Sequence, residues 1–200
     1  SMKLYYSPGT CSLSPLIALH EAGIAVELVK VDLKTRTTAS GDDYLAINPK
    51  GYVPALQLNN GEVLTEGPAI LQYVADLAPA SNLAPANGTL ARVRLQETLN
   101  FIGSEIHKGF SPLFNPAAPA EWKALVRENL GKRFDYLSRW LEKSPYLQGQ
   151  QFGVADGYLF TVLGWCQWVE IELAKWPVLT AYCANIAGRP QVQAALAAHK

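Results

Sequence analysis

Asn-Pro-Lys-Gly-Tyr-Val-Pro-Ala-Leu, residues 48–56, has a proline directly before a run of strand-forming residues. One interpretation is an ordinary X-Pro turn, because the residue before a proline prefers extended backbone. The other is a cis bond between Val53 and Pro54, with the N–H and C=O of Val53 turned outward to pair with an extended peptide. Both interpretations place a β-strand immediately after the proline.

Short strand-like and helix-like runs alternate on both sides of this stretch. Before it, the pattern predicts strands at residues 3–6 and 26–31 and helices at residues 15–22 and 42–47. After it, a hairpin is predicted over 55–64, with its turn at Asn-Asn-Gly. Gly67-Pro68 then opens a helix that extends to Leu77, since proline in a first turn forfeits no hydrogen bond. The predicted order is β-α-β-α-β-β-α.

The chain changes character near residue 80. Residues 83–87 consist largely of Pro, Ala and Asn, and every long segment beyond them has helical periodicity. The first of these segments has apolar residues at i, i+4, i+7 and i+11, which are Leu95, Leu99, Ile102 and Ile106. We therefore predict an α/β domain over residues 1–80, a linker over 81–88 and an all-helical domain over 89–200.

Composition excludes several classes of function. Lys and Arg together number 17, as do Asp and Glu, so a chain of zero formal charge lacks the basic surface that nucleic acid or an anionic membrane would attract. The apolar run at 154–169 is too short and too rich in Gly to span a bilayer. Three widely spaced cysteines do not make a disulfide framework, and no leader pattern opens the chain, so we expect a cytoplasmic protein.

Cys11 is the candidate reactive thiol. It lies just before the first predicted helix, where unpaired N–H groups and the helix dipole favour thiolate over thiol. With Ser14 it forms a C-x-x-S motif, which can form a mixed disulfide but cannot close an internal one. Equally compatible with this spacing is a buried structural cysteine. Cys166 and Cys183 fall within apolar helical runs, which indicates structural roles.

Two more features suggest a ligand site. The N–H groups at the helix start near Gly67 can bind a carboxylate, and Glu66 can receive an ammonium group, although an ordinary first-turn acid is the alternative for Glu66. A polar stripe lies opposite the apolar one on the first long helix and consists of Asn100, Ser104, His107 and Lys108. A solvated face is the usual explanation for such a stripe. These side chains are mostly short and weakly charged, which favours a polar ligand or partner instead.

Four segments, residues 2–12, 48–56, 64–70 and 154–156, occur in an order and spacing that resemble the cytosolic glutathione S-transferases. The resemblance is closest to the bacterial, cysteine-containing beta class and covers essentially the whole chain. It implies a thioredoxin-like N-terminal domain, an all-α helical bundle as C-terminal domain and a homodimer. It also implies glutathione as co-substrate, a small hydrophobic electrophile as the second substrate, and no metal.

The resemblance also implies roles for individual residues. Val53 resembles the residue whose backbone pairs with the cysteinyl part of glutathione, with Pro54 in cis. Glu66 and Gly67 resemble the pair that holds the γ-glutamyl end, although many relatives carry Ser where Gly67 leaves only backbone donors. Cys11 resembles the cysteine that lies beside the glutathione sulfur.

The remaining implied residues belong mostly to the second domain. His107 resembles the histidine near the glutathione sulfur and is, with Cys11, the predicted catalytic pair. The other residues expected to bind glutathione are Tyr52, Asn100, Ser104 and Lys108. The second-substrate pocket is expected at Thr10, Phe110, Phe114 and Trp165. Tyr6 stands where other classes place a catalytic tyrosine, and packing is its alternative role.

The main functional hypothesis is that the protein activates the glutathione thiolate for attack on apolar electrophiles, by conjugation or by displacement of halide. A second enzymatic hypothesis is glutathione-dependent thiol–disulfide exchange through a mixed disulfide at Cys11. A hypothesis of another class is a non-catalytic protein that binds glutathione or a hydrophobic ligand, because a fold does not guarantee activity.

Overall fold

The computed structural model describes residues 1–200 and divides the chain into two units, 1–84 together with 189–200, and 85–188. The strands are β1 Lys3–Tyr6, β2 Glu27–Asp32, β3 Thr37–Thr38, β4 Ala55–Gln57 and β5 Val63–Thr65. The α-helices are α1 Leu13–Glu21, α2 Tyr44–Ile47, α3 Gly67–Leu77, α4 Leu90–Phe101, α5 Ala120–Lys143, α6 Val154–Leu163, α7 Pro177–Ala187 and α8 Pro190–Ala198. None of them combines the length and apolar character that crossing a membrane requires.

The first unit is built on one mixed sheet in the order β3-β2-β1-β4-β5. β1 pairs in parallel with β2 and antiparallel with β4, and β4–β5 and β2–β3 are antiparallel pairs. One face buries a cluster formed by Tyr5, Val31, Tyr44, Val53 and Ala55. Because successive side chains point to opposite faces, the fully buried Leu4 and Leu56 face the other way. The sheet is therefore covered on both faces, as expected of an α/β domain.

Local signals in the sequence explain most of these elements. α3 begins at the predicted Gly67 because Pro68 suits a first helical turn, and it ends at the predicted Leu77. α2 is shorter than predicted and begins after Asp43, whose carboxylate accepts the Leu45 N–H at 3.1 Å. β3 was not predicted, since a two-residue strand is too short to form a periodic pattern. The fold class is the predicted α/β unit with a helical second unit.

The second unit is entirely helical. The predicted apolar stripe is its core, and Leu95, Ile102 and Ile106 are fully buried. The α-helical geometry nevertheless ends at Phe101, and the chain continues as a π-helical segment over Ile102–His107 and a 3₁₀ segment over Lys108–Phe114. The expectation of one regular α-helix through residue 108 was therefore wrong. Gly103 and Pro112, both poor formers of α-helix, lie in these two segments.

The last helix packs with the first unit rather than with the helical unit, which differs from the division drawn from the sequence. The guanidinium of Arg189 binds the carboxylate of Glu21 through two bonds of 2.7 and 3.1 Å. Behind this ion pair, α8 packs against α1 and buries Val192 and Ala195. Composition could not locate this boundary, because a helix looks the same in the sequence whichever unit it packs against.

Candidate active site

Cys11 lies in the turn between β1 and α1, and hydrogen bonds among its neighbours fix that turn. The Ser12 hydroxyl lies 2.7 Å from Thr10 Oγ1 and accepts the Ser7 N–H at 3.2 Å. The Ser12 N–H donates to Thr10 Oγ1 at 3.3 Å. The partly exposed thiol of Cys11 donates to the Val53 carbonyl oxygen at 3.4 Å. Cys11 is therefore held in place beside the loop that contains Val53.

The end of the chain completes this network. His199 Nε2 lies 2.8 Å from Ser12 Oγ, and the Tyr6 hydroxyl donates to the Lys200 carbonyl oxygen at 2.7 Å. Tyr6 is buried and its ring packs against His199, so its observed role is packing. Burial lowers the pKa of His199 to about 4. The imidazole is therefore neutral at pH 7.

The buried His199 is expected to make stability depend on acidity. An unfolded histidine titrates near ~6.5, so between this pH and about 4 the unfolded chain binds a proton that the folded chain does not. The free energy of unfolding should fall as the pH is lowered through this window, by up to about 1.4 kcal/mol per pH unit. Urea unfolding of wild type and His199→Gln from pH 4.5 to 7.5 measures the effect, since glutamine does not titrate. Equal pH slopes in the two proteins would contradict the prediction.

The bond between Val53 and Pro54 is cis, as the second of the two interpretations predicted. The loop before it is fixed by two donors to the Tyr52 carbonyl oxygen, the Tyr44 hydroxyl at 2.6 Å and Asn48 Nδ2 at 2.8 Å. The N–H of Val53 has no hydrogen-bond partner within the chain. The side chain of Tyr52 is exposed. A backbone donor is thus available next to the Cys11 thiol.

Glu66 and Gly67 lie at the beginning of α3. Glu66 has a φ of 70°, a left-handed conformation that is uncommon for a residue with a side chain. Its carbonyl oxygen accepts the N–H groups of Ala69 and Ile70, so the first turn of the helix is closed. Its carboxylate lies 2.6 Å from Lys50 Nζ, and both side chains are partly exposed. A negative group and the start of a helix therefore stand side by side, as predicted.

In the second unit, His107 occupies the end of the π-helical segment. Its Nδ1 lies 2.6 Å from the hydroxyl of the buried Tyr158, and its ring packs edge to face against Trp165 at 5.1 Å between centroids. Asn100 and Ser104 are exposed and joined by a bond from the Ser104 hydroxyl to the Asn100 carbonyl oxygen at 2.8 Å. The imidazole is therefore held by its neighbours, while the polar stripe around it, including the exposed Lys108, is accessible.

The three aromatic residues predicted for the second-substrate pocket pack together. Trp165 stands edge to face with Phe110 at 5.6 Å and with Phe114 at 5.9 Å between ring centroids. Phe114 is half exposed, whereas Phe110 has no exposed surface and packs on Phe134. Phe110 therefore supports the cluster from behind, and it is Phe114 that presents an apolar surface.

Sequence reasoning missed three residues of these networks: Lys50, Tyr158 and His199. Tyr158 and His199 are bonded to partners 51 and 187 residues away, and no local pattern carries such a pairing. Lys50, in contrast, could have been found from the sequence. It is a positive charge within residues 48–56, the stretch that was already predicted to bind a ligand.

Cys166 and Cys183 differ from Cys11. Burial raises the pKa of both thiols to about 12, so they stay protonated at neutral pH. The thiol of Cys166 is buried and that of Cys183 is partly buried within the helical unit, and neither is in a disulfide. These properties agree with the structural roles predicted for them.

Comparison with known proteins identifies the family. Residues 1–76 match the family model described as glutathione S-transferase, N-terminal domain, and residues 101–190 match its C-terminal domain. The chain is 46% identical to glutathione S-transferase GstA of Escherichia coli O157:H7 over 98% of both chains. A sphingomonad glutathione S-transferase solved with glutathione is 52% identical, with a TM-score of 0.95 over 98% of both chains. The beta-class enzyme of Sphingomonas chungbukensis is 50% identical, with the same TM-score and coverage. The chain is thus similar to bacterial beta-class enzymes, and it belongs to the glutathione S-transferase family.

Proposed function

We propose that this protein is a glutathione transferase that binds reduced glutathione on its first unit and activates the thiolate for attack on an apolar electrophile. The reaction is either conjugation, in which sulfur adds to an electrophilic carbon, or displacement, in which halide leaves that carbon. Glutathione acts as a co-substrate.

The main support for this proposal is the arrangement of the Val53 backbone and the Cys11 thiol. The Val53 N–H is unpaired, and the Cys11 thiol lies 3.4 Å from the Val53 carbonyl oxygen. An extended peptide that pairs with the backbone of Val53 in the manner of an added strand places its central side chain at this point of the loop. When the central residue is cysteinyl, its sulfur comes to lie near Cys11 at the start of α1.

That position suits a thiolate. A thiol titrates near ~8.5 in water and is therefore mostly protonated at neutral pH. The N–H groups of Leu13 and Ser14 are bonded within the turn, to the carbonyl oxygens of Thr10 and Cys11, and Pro15 has no N–H. The positive end of the α1 dipole is therefore the feature of this helix that favours the anion. The turn that carries Cys11 is already fixed by Ser12 and His199, so little reorganisation is needed when the ligand binds.

For the second unit, we propose that His107 donates a hydrogen bond to the bound sulfur and that Asn100, Ser104 and Lys108 bind polar parts of glutathione. The Tyr158 hydroxyl supports this role, because a group 2.6 Å from Nδ1 keeps the imidazole in one orientation. Thr10, Phe114 and Trp165 are proposed to bind the electrophile, with Phe110 behind them.

Thiol–disulfide exchange is a second candidate, favoured by the accessible Cys11 thiol and the serine at the fourth position of its motif. The Cys11 thiolate would attack a disulfide that contains glutathione, forming a mixed disulfide with glutathione and releasing the other thiolate. A second glutathione thiolate would then attack the mixed disulfide, releasing oxidised glutathione and restoring the Cys11 thiolate.

We further propose that the protein acts in the cytoplasm as a homodimer. The location is supported by three cysteines, none of which is in a disulfide, because reduced thiols suit a reducing compartment. The dimer is proposed from the family alone.

The first test is a calorimetric titration of the protein with reduced glutathione, followed by turnover assays with an aryl halide and with a mixed disulfide. We expect saturable binding at one site per chain and release of halide at a rate above that of the uncatalysed reaction. Binding without turnover of either substrate would identify a carrier instead. Absence of binding at millimolar glutathione would refute the proposed function.

A further inference from the structure

The ion pair between Lys50 and Glu66 is a feature of the first unit that was not predicted from the sequence. Nζ of Lys50 lies 2.6 Å from Oε2 of Glu66, with 45% and 67% of the two side chains exposed. An exposed pair of this kind contributes little to stability, so its position is more informative than its strength. It brings a cation to the carboxylate that is proposed to receive the ammonium group of the ligand.

The position of Lys50 is fixed by its backbone. Asn48, which is almost completely buried, accepts the Lys50 N–H at 3.2 Å and donates to the Tyr52 carbonyl oxygen at 2.8 Å. Gly51 has a φ of 72°, and a Cβ at this position would lie 2.5 Å from a guanidinium nitrogen of Arg36, so no other residue fits here without displacement. The loop therefore presents Lys50 toward the start of α3 in a defined way.

The proposed ligand carries a carboxylate that the ammonium group of Lys50 could bind. The γ-glutamyl end of glutathione carries both an α-ammonium and an α-carboxylate. Glu66 satisfies the ammonium, but donors for the carboxylate are few at the start of α3. Pro68 has no N–H, the N–H groups of Ala69 and Ile70 are bonded to the Glu66 carbonyl oxygen, and Gly67 has no side chain. Among these first residues of the helix, the N–H of Gly67 is the one remaining donor, which is a weak site for a full negative charge.

We propose that Lys50 is a specificity-determining residue that binds the α-carboxylate of the γ-glutamyl group. This inference rests on the proposed function. On binding, the Lys50–Glu66 pair opens and is replaced by two pairs, the ligand carboxylate with Lys50 and the Gly67 N–H, and the ligand ammonium with Glu66. The cost of opening an exposed ion pair is small, and each new pair is a charge-assisted hydrogen bond. The two residues together select a γ-linked glutamate that carries both charged groups.

The test compares glutathione with 4-aminobutyryl-Cys-Gly, which lacks only the α-carboxylate, by calorimetric titration. Lys50→Gln should weaken glutathione binding by about tenfold or more while leaving the affinity for the analogue unchanged, because the lost interaction is with the missing group. Lys50→Arg should bind glutathione within about threefold of wild type. Lys175→Gln, which removes an exposed positive charge from the second unit, is the matched control and should bind both ligands as wild type does.

Two outcomes would overturn the role of Lys50 while leaving the proposed function intact. In the first, Lys50→Gln binds glutathione with wild-type affinity, and the ion pair is then only a surface contact. In the second, the variant loses affinity equally for both ligands, which indicates that Lys50 supports the loop rather than binding the carboxylate. If the wild-type protein itself binds no glutathione, the proposed function fails and the role of Lys50 fails with it.

Discussion

Asp156→Ala is expected to lower the free energy of unfolding by about 3–5 kcal/mol, because three buried donors lose their acceptor at once. Asp156 has no exposed surface. Its Oδ1 accepts the Leu147 N–H at 2.9 Å and the Tyr182 hydroxyl at 2.6 Å, and its Oδ2 accepts the Gly153 N–H at 2.9 Å. The carboxylate thus joins the start of α6 to α7 and to the segment before α6. Urea unfolding followed by tryptophan fluorescence measures the loss.

Two milder variants divide this effect. Asp156→Asn keeps an acceptor for Leu147 and Tyr182 but turns an NH₂ group toward the Gly153 N–H, so we expect a smaller loss than for alanine. Tyr182→Phe removes one donor and leaves the other two bonds, so it should cost least. If Asp156→Ala were no less stable than Tyr182→Phe, the carboxylate would not be the centre of this network.

Cys11→Ala is expected to abolish glutathione-dependent disulfide exchange completely while leaving a measurable rate of conjugation. Exchange requires a sulfur at residue 11 to form the mixed disulfide, and no other residue can supply it. Conjugation requires only that the glutathione thiolate be stabilised, and the start of α1 and His107 are both retained in the variant. Disulfide exchange is measured with a glutathione mixed disulfide and conjugation with an aryl halide, both on the same protein preparation.

Cys183→Ala is the matched control for this experiment. Burial raises the pKa of the Cys183 thiol to about 12, so this thiol is not expected to react at neutral pH and its removal should leave exchange unchanged. Exchange that persists in Cys11→Ala would remove the mixed-disulfide hypothesis. Loss of both reactions would instead show that Cys11 is needed to stabilise the bound thiolate.

Local signals were sufficient for much of the first unit. Proline and glycine restrict the backbone wherever they occur, so the start of α3 and the hairpin of β4 and β5 could be predicted from a few neighbouring residues. The cis bond before Pro54 was one of two interpretations that the local sequence left open. The same holds for the position of Cys11 just before α1 and for the apolar stripe that buries Leu95 and Ile106. Where the signal was weaker, as at the two-residue β3 and the π-helical end of α4, the prediction failed.

The sequence by itself determined the two kinds of domain and the family, and it supplied the candidate residues for the site, because these depend on short motifs and on the order of those motifs along the chain. Only the tertiary structure decided which groups meet. Tyr158 lies beside His107, which is 51 residues away in the chain, and His199 lies beside Ser12, which is 187 residues away. α8 packs against α1 although the two helices are almost as far apart in the chain as His199 and Ser12. Such pairings are decided by the packing of buried surfaces, which acts between elements far apart in the chain and leaves no periodic trace in either partner.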